Sequence, residues 1–126
     1  AGLVILECPN NSEEHARRLS RELLAGPDRP TAILAMSDRL ALGALQAAGD
    51  LGIPVPQALS VVGFDDIPLA TQIRPALTTI HQPLVEKGVI AAELLLEPPA
   101  RPRHRLLPTE LVVRDSTGPV PADIPN

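Results

Sequence analysis

The order of apolar segments in this chain predicts an α/β fold, a parallel sheet with helices on both faces. Short continuous apolar runs (Leu3 to Leu6, Thr31 to Met36, Leu59 to Phe64, Leu77 to Ile80) alternate with longer stretches whose apolar positions recur at the helical period. The 15 prolines fall between these segments or in a first helical turn, where a missing N–H costs nothing, so they mark the ends of elements. At 126 residues and 44% apolar, the chain has the size of one domain.

Leu3 to Leu6 reads as a strand buried on both faces. The chain opens on AGLVILE as if that strand were already under way, which is expected of a piece of a longer protein. Asn11 or Ser12 caps a helix reaching about Ala25, with Glu14 three residues beyond Asn11 as in a capping box. Its stripe is Ala16, Leu19 and Leu23, and its wet side offers the pairs Glu13 with Arg17 and Glu14 with Arg18. Gly26 and Pro27 end it.

Thr31 to Met36 is the next buried strand, and Ser37 caps a helix running to Leu51, closed by Gly52, Pro54 and Pro56. Ala41, Ala44, Leu45 and Ala48 form its stripe, while Leu42 lies outside it and gives the helix a second packing surface. Leu59 to Phe64 is the third strand, Ile67 to Ile73 a short helical turn and Leu77 to Ile80 the fourth strand. A helix follows from Pro83, in the first helical position, to about Glu97, with Leu84, Val85, Ala91, Ala92 and Leu95 on its stripe. An extended loop (Pro98 to Arg105), one or two strands within Leu106 to Val113 and a frayed tail from Gly118 complete the chain. There is no internal repeat.

Composition narrows the function. A net charge of -4 gives no electrostatic footprint for nucleic acid. Phe64 is the only aromatic residue, so a ligand that needs ring stacking finds almost none. One cysteine, Cys8, excludes an internal disulfide and fits a reducing, cytoplasmic setting. His15, His81 and His104 belong to separate elements, so no metal site and no cofactor are expected. No apolar run approaches the roughly 20 residues a bilayer needs, so no membrane partner is expected either.

In parallel sheets ligands bind beyond the carboxyl ends of the strands, which singles out Cys8 to Asn11, Ser37, Asp38, Asp65, Asp66, His81 and Gln82. Asp65 and Asp66 leave a strand on opposite sides and so have different tasks. Asp65 can face the crevice and accept two hydroxyl hydrogen bonds, and Asp66 can cap the following turn; the plainer reading makes both caps. Ser37 and Asp38 open a helix and are read first as capping groups. Asn10, Asn11 and Gln82 can each reach either a ligand or an orphan helix N–H. Cys8, His81 and Asp65 are also the side chains a thiol hydrolase would need, but no glycine turn follows Cys8 to supply an oxyanion hole. Arg101, Arg103, His104 and Arg105 read as a solvated loop, and Gly63 as a point of close backbone packing.

The wording PTAILAMSDRLALGALQAAGDLGIPVP, LSVVGFDD, PALTTIHQP and LPTELVVRDST, in that order, resembles the lactose/galactose repressor family of transcriptional regulators over about Asn11 to Thr117. The resemblance implies most of one lobe of a periplasmic-binding-protein-like (type I) effector domain. Such a domain belongs to a homodimer that touches operator DNA only through a helix-turn-helix headpiece and performs no catalysis. Residues 1–81 are then the second lobe, without its opening strand and helix. Residues 82–109 are a crossover and a helix of the first lobe, 110–117 a returning strand and 118–126 a disordered tail.

By motif, the resemblance also implies effector contacts at Asp65, Ser37, Gln82 and Asn11, a sugar or purine-like metabolite as effector, and dimer contacts at Leu42 and Ile73. Leu84, Val85, Ala92 and Leu95 would lack their native partners. A periplasmic-type sugar-binding protein of a transporter is the alternative within the same fold.

Overall fold

Three parallel strands and one antiparallel strand form a single sheet in the order β1-β2-β3-β4 in the computed structural model, which describes residues 2–96 and 104–121. β1 is Ala32–Leu34, β2 Ser60–Asp65, β3 Thr78–His81 and β4 Glu110–Val112. The parallel register pairs Ile33 with Val61 and Gly63 with Thr79; β4 returns against β3 with Leu111 opposite Ile80. The helices are α1 (Glu13–Leu24), α2 (Asp38–Asp50), α3 (Leu69–Gln72) and α4 (Leu84–Leu96).

The core lies between α2 and one face of the sheet. Ala41, Ala44, Ala47 and Ala48 of α2 join Leu59, Val61 and Leu77 in one buried cluster, with Leu24 of α1, Ile53 and Ala70 at its margins. Small side chains on α2 let the helix come close to the strands, and the same economy of volume brings α1 onto α2. A Cβ on Gly43 would stand 2.4 Å from the Glu13 carbonyl oxygen and 2.7 Å from the Ala16 Cβ, so only glycine permits that approach.

This packing redirects the charges expected on α1. Arg17 pairs with Asp50 of α2 at 2.7 Å and Arg18 with Glu22 at 3.1 Å, and Glu13 accepts from Gln46 of α2, in place of the Glu13–Arg17 and Glu14–Arg18 pairs. The cap of α1 is Ser12, whose hydroxyl accepts from the His15 N–H; Asn11 is engaged elsewhere. The buried stripe of α1 is Ala16, Ser20 and Leu24, turned by one position from the expected Leu19 and Leu23.

Two expected strands differ. Leu3 to Leu6 form no strand, and Leu3 is 90% exposed. β1 is an edge, with Leu34 77% exposed, where a strand buried on both faces was expected. The cause is a missing neighbour. The Thr31 carbonyl and the Ala35 N–H bond to β2, so by strand alternation the backbone groups of Ala32 and Leu34 point the other way. They face a cavity of about 460 Å3 that separates β1 from the Gly2–Cys8 segment. An apolar run with no ladder partner cannot hold a strand on its own.

α4 forms where its periodicity places it but buries none of its residues, and Val85 is 84% exposed. Past β4 the chain is tied down: the fully buried Ser116 donates to the Val61 carbonyl and accepts from the Thr78 N–H, and the Gly118 N–H donates to Ser60. The end expected for α4 at Glu97, the loop through Arg103 and the tail from Ala122 lie outside the described residues.

Candidate functional site

β2 ends on the two carboxylates, and the backbone there leaves ordinary space: Asp65 has φ 121° and Asp66 φ 57°. Non-glycine residues at positive φ cost about 1–3 kcal/mol each and persist only where surrounding contacts fix them. Those contacts are present. One oxygen of Asp66 accepts from Arg114 Nη2 at 2.6 Å, and the other lies 3.0 Å from His81 Nδ1. Arg114 is anchored in turn, with Nη1 on the Leu77 carbonyl at 2.8 Å and its backbone N–H on Thr78 Oγ1 at 2.9 Å. Burial pushes the Asp66 carboxyl up, but the Arg114 and His81 hydrogen bonds and charges outweigh it and hold the group below the usual carboxylate range.

The expectation that Asp66 caps the following turn is therefore corrected. The first N–H of that turn, Ile67, is taken by Asp38 at 2.8 Å, whose other oxygen accepts from Thr79 Oγ1. Asp38 is almost fully buried, so this carboxylate ties the start of α2 to β3 and to the turn after β2. Gly63 makes room for it, since a Cβ there would come within 2.3 Å of the Asp38 carboxylate. That accounts for the close packing expected at Gly63.

Asp65 turns toward the ends of β2 and β3, where it accepts from Gln82 Nε2 at 2.7 Å. Lys87 of α4 donates to Gln82 Oε1 at 3.3 Å. Asp65, Asp66, His81 and Gln82 form the polar wall of an open cleft of about 490 Å3, and Pro83, Leu84 and Val85 the apolar one. The cleft offers carboxylate acceptors, an amide and an imidazole but no Phe, Tyr or Trp ring, a set suited to hydroxyl-rich ligands. The more enclosed cavity beside β1 is walled mainly by aliphatic side chains and has no such convergence of polar groups.

Ser37 and Asn11 form a second pair. The Ser37 hydroxyl caps α2, accepting from the Leu40 N–H at 3.2 Å, and donates to Asn11 Oδ1. No hydrogen bond joins this pair to Asp65 and Gln82. The four expected effector contacts thus fall into two couples, Asp65 with Gln82 and Asn11 with Ser37. Leu42 is half-buried on α2, and Ile73 packs partly against the core at the end of α3.

The thiol-hydrolase constellation is not assembled. Cys8 lines the cavity beside β1, whereas His81 and Asp65 line the cleft, and His81 Nδ1 is engaged by Asp66. Among the described residues no three His, Cys, Asp or Glu side chains converge to hold a metal ion, and no helix is long and apolar enough to cross a membrane. Sequence reasoning missed the role of Arg114, which sits in the LPTELVVRDST motif but far along the chain from Asp66, and the buried bracing role of Asp38, which Gly63 signalled only indirectly.

The chain resembles known proteins over most of its length. The periplasmic binding protein-like domain family matches residues 3–117. The HTH-type transcriptional repressor PurR of Escherichia coli O139:H28 is 43% identical over 84 residues, which are 67% of this chain and 25% of the relative. The chain thus spans about 25% of the length of the curated relatives it matches. A solved protein from Actinobacillus succinogenes superimposes with a TM-score of 0.80 at 39% identity, covering 86% of this chain and 41% of that one. A LacI family transcriptional regulator from Enterococcus faecium, solved with bound ribose, gives a TM-score of 0.74 at 29% identity over 86% of this chain and 41% of its own.

Proposed function

The chain belongs to the periplasmic binding protein-like domain family, and from that premise we propose that it is the greater part of one effector-binding lobe of a DNA-binding transcriptional regulator. The effector is a sugar or a similarly hydroxylated small metabolite. The observation that carries this is Asp65, a carboxylate held at positive φ over an open cleft and partnered by Gln82. A carboxylate accepting ligand hydroxyls in a shielded cleft contributes about 1.5–3 kcal/mol per bond. Gln82 supplies the amide that can exchange Asp65 for a ligand oxygen.

Under this reading residues 1–81 form the second lobe, 82–109 a crossover and a helix of the first lobe, 110–117 the returning strand and 118–126 a tail. Two observations support the division. α4 is apolar yet buries nothing, as a helix of another lobe would. The cavity beside β1 is bounded by the unpaired backbone of Ala32 and Leu34, the place for the lobe's opening strand. Effector binding across the cleft would favour one arrangement of the two lobes and so change operator affinity through a headpiece. Homodimer contacts would involve Leu42 and Ile73. PurR and the Enterococcus faecium protein are regulators, which favours this reading over a transporter's binding protein, and no catalytic step is assigned.

Thermal-shift screening of the full-length protein against ribose, glucose, sucrose and adenine tests the proposal. A sugar at a hundredfold excess over its Kd stabilises by about 2.7 kcal/mol, a shift of several degrees. Asp65→Ala should remove that shift. A sugar that still stabilises the Asp65→Ala protein to the same extent would place the ligand elsewhere.

A further inference from the structure

We propose that Arg114 is a positioning residue of the ligand site: acting through Asp66, it holds the Asp65–Asp66 turn in the conformation that aims the Asp65 carboxylate into the cleft. The inference rests on the reading of Asp65 as the ligand contact. Two consecutive non-glycine residues at positive φ, 121° and 57°, form a turn that local preference works against. Rotation of either peptide would swing Asp65 away from Gln82. The Asp38 bond to the Ile67 N–H and the β2–β3 ladder hold the two ends of the turn. Between them the side-chain grip on Asp66 opposes that rotation, with one oxygen taken by Arg114 and the other by His81.

Of the two holders, Arg114 is the rigid one. Its side chain is 17% exposed, against 50% for His81. Its other guanidinium nitrogen and its backbone N–H are fixed to Leu77 and Thr78 at the start of β3. The guanidinium thereby spans from the start of β3 to the turn beyond β2, a reach and fork geometry that lysine does not reproduce. The segment that follows β4 therefore acts on the site without touching the ligand.

The test uses Arg114→Lys, Arg114→Ala and Asp66→Asn, with two readouts on each. The first needs no ligand: NMR of the Asp65 side-chain carbon and the Gln82 side-chain amide, which report the Asp65–Gln82 bond, alongside the melting temperature. The account predicts that all three variants shift both signals, including Asp66→Asn, which keeps the side chain's shape and should remain folded. A lowered melting temperature with both signals unmoved in the folded variants would overturn the proposal and leave Arg114 a structural staple. The second readout is calorimetric affinity of the full-length protein for whichever of ribose, glucose or sucrose stabilises it, with an expected loss of about tenfold or more in each variant, equivalent to about 1.4 kcal/mol. Unchanged affinity would likewise overturn it. If none of the three sugars binds the full-length protein while the NMR signals move, the sugar-sensor reading fails and the positioning of Asp65 stands.

Discussion

Leu77 and Leu95 both belong to apolar runs that periodicity marks for burial, yet Leu77 is fully buried and Leu95 is 81% exposed. The first enters a core closed by other parts of this chain: α2 on the sheet, α1 on α2, and the segment after β4 tied to β2 and β3. The second sits on a helix that forms and finds nothing to pack against. Leu3, at the opposite end, shares its fate. The contrast shows that hydrophobic period encodes the demand for burial, whereas burial itself requires a partner surface.

Substitutions should sort along that division. Leu77→Ala should cost about 2–5 kcal/mol in denaturant unfolding, whereas Leu95→Ala should stay within about 0.5 kcal/mol. Equal losses would erase the distinction between the two regions. Gly43→Ala should follow at about 1–3 kcal/mol, because its new Cβ overlaps the Glu13 carbonyl and forces α1 from α2. Loss of the α2 cap in Ser37→Ala should cost about 1 kcal/mol and free Asn11 as well.

A pH titration sharpens the picture of the site end of the body. The folded Asp66 carboxyl lies below its ordinary value of 3.8. Its contribution is therefore complete above that value and is lost as the pH falls through the lower folded one. Asp66→Asn should flatten that acid limb, and an unchanged limb would mean that the Arg114–Asp66 pair is not formed. The smallest effect on stability belongs to α4: Val85→Ser with Leu95→Ser should leave the melting temperature nearly unchanged while reducing self-association in sedimentation.

Much of the fold was legible because the prolines and glycines that end elements act locally. Ser37, Gly52 and Pro83 bound their helices much as spacing alone suggests, and the LSVVGFDD and TTIH segments became β2 and β3 with shifts of one residue at each end. Leu3 to Leu6 and β1 were misjudged because their apolar pattern speaks for a neighbour that the sheet does not supply. At the site, Asp65 and Gln82 were legible as residues at strand ends, the general place for ligands in parallel sheets. The clamp on Asp66 was not, because Arg114 is 48 residues away in sequence and only the return of β4 beside β3 brings it there. The coupling of Asn11 to Ser37 was hidden for the same reason, as it spans 26 residues.

Asp65 as the ligand contact is tested most directly by calorimetric titration of the full-length protein and of its Asp65→Asn variant with the sugar that gives the largest thermal shift. Loss of the carboxylate's charge should weaken binding by about tenfold or more, since charge-assisted bonds are worth about 1.5–3 kcal/mol, with the melting temperature of the free protein little changed. Equal affinity of the two proteins would contradict the claim that Asp65 holds the ligand.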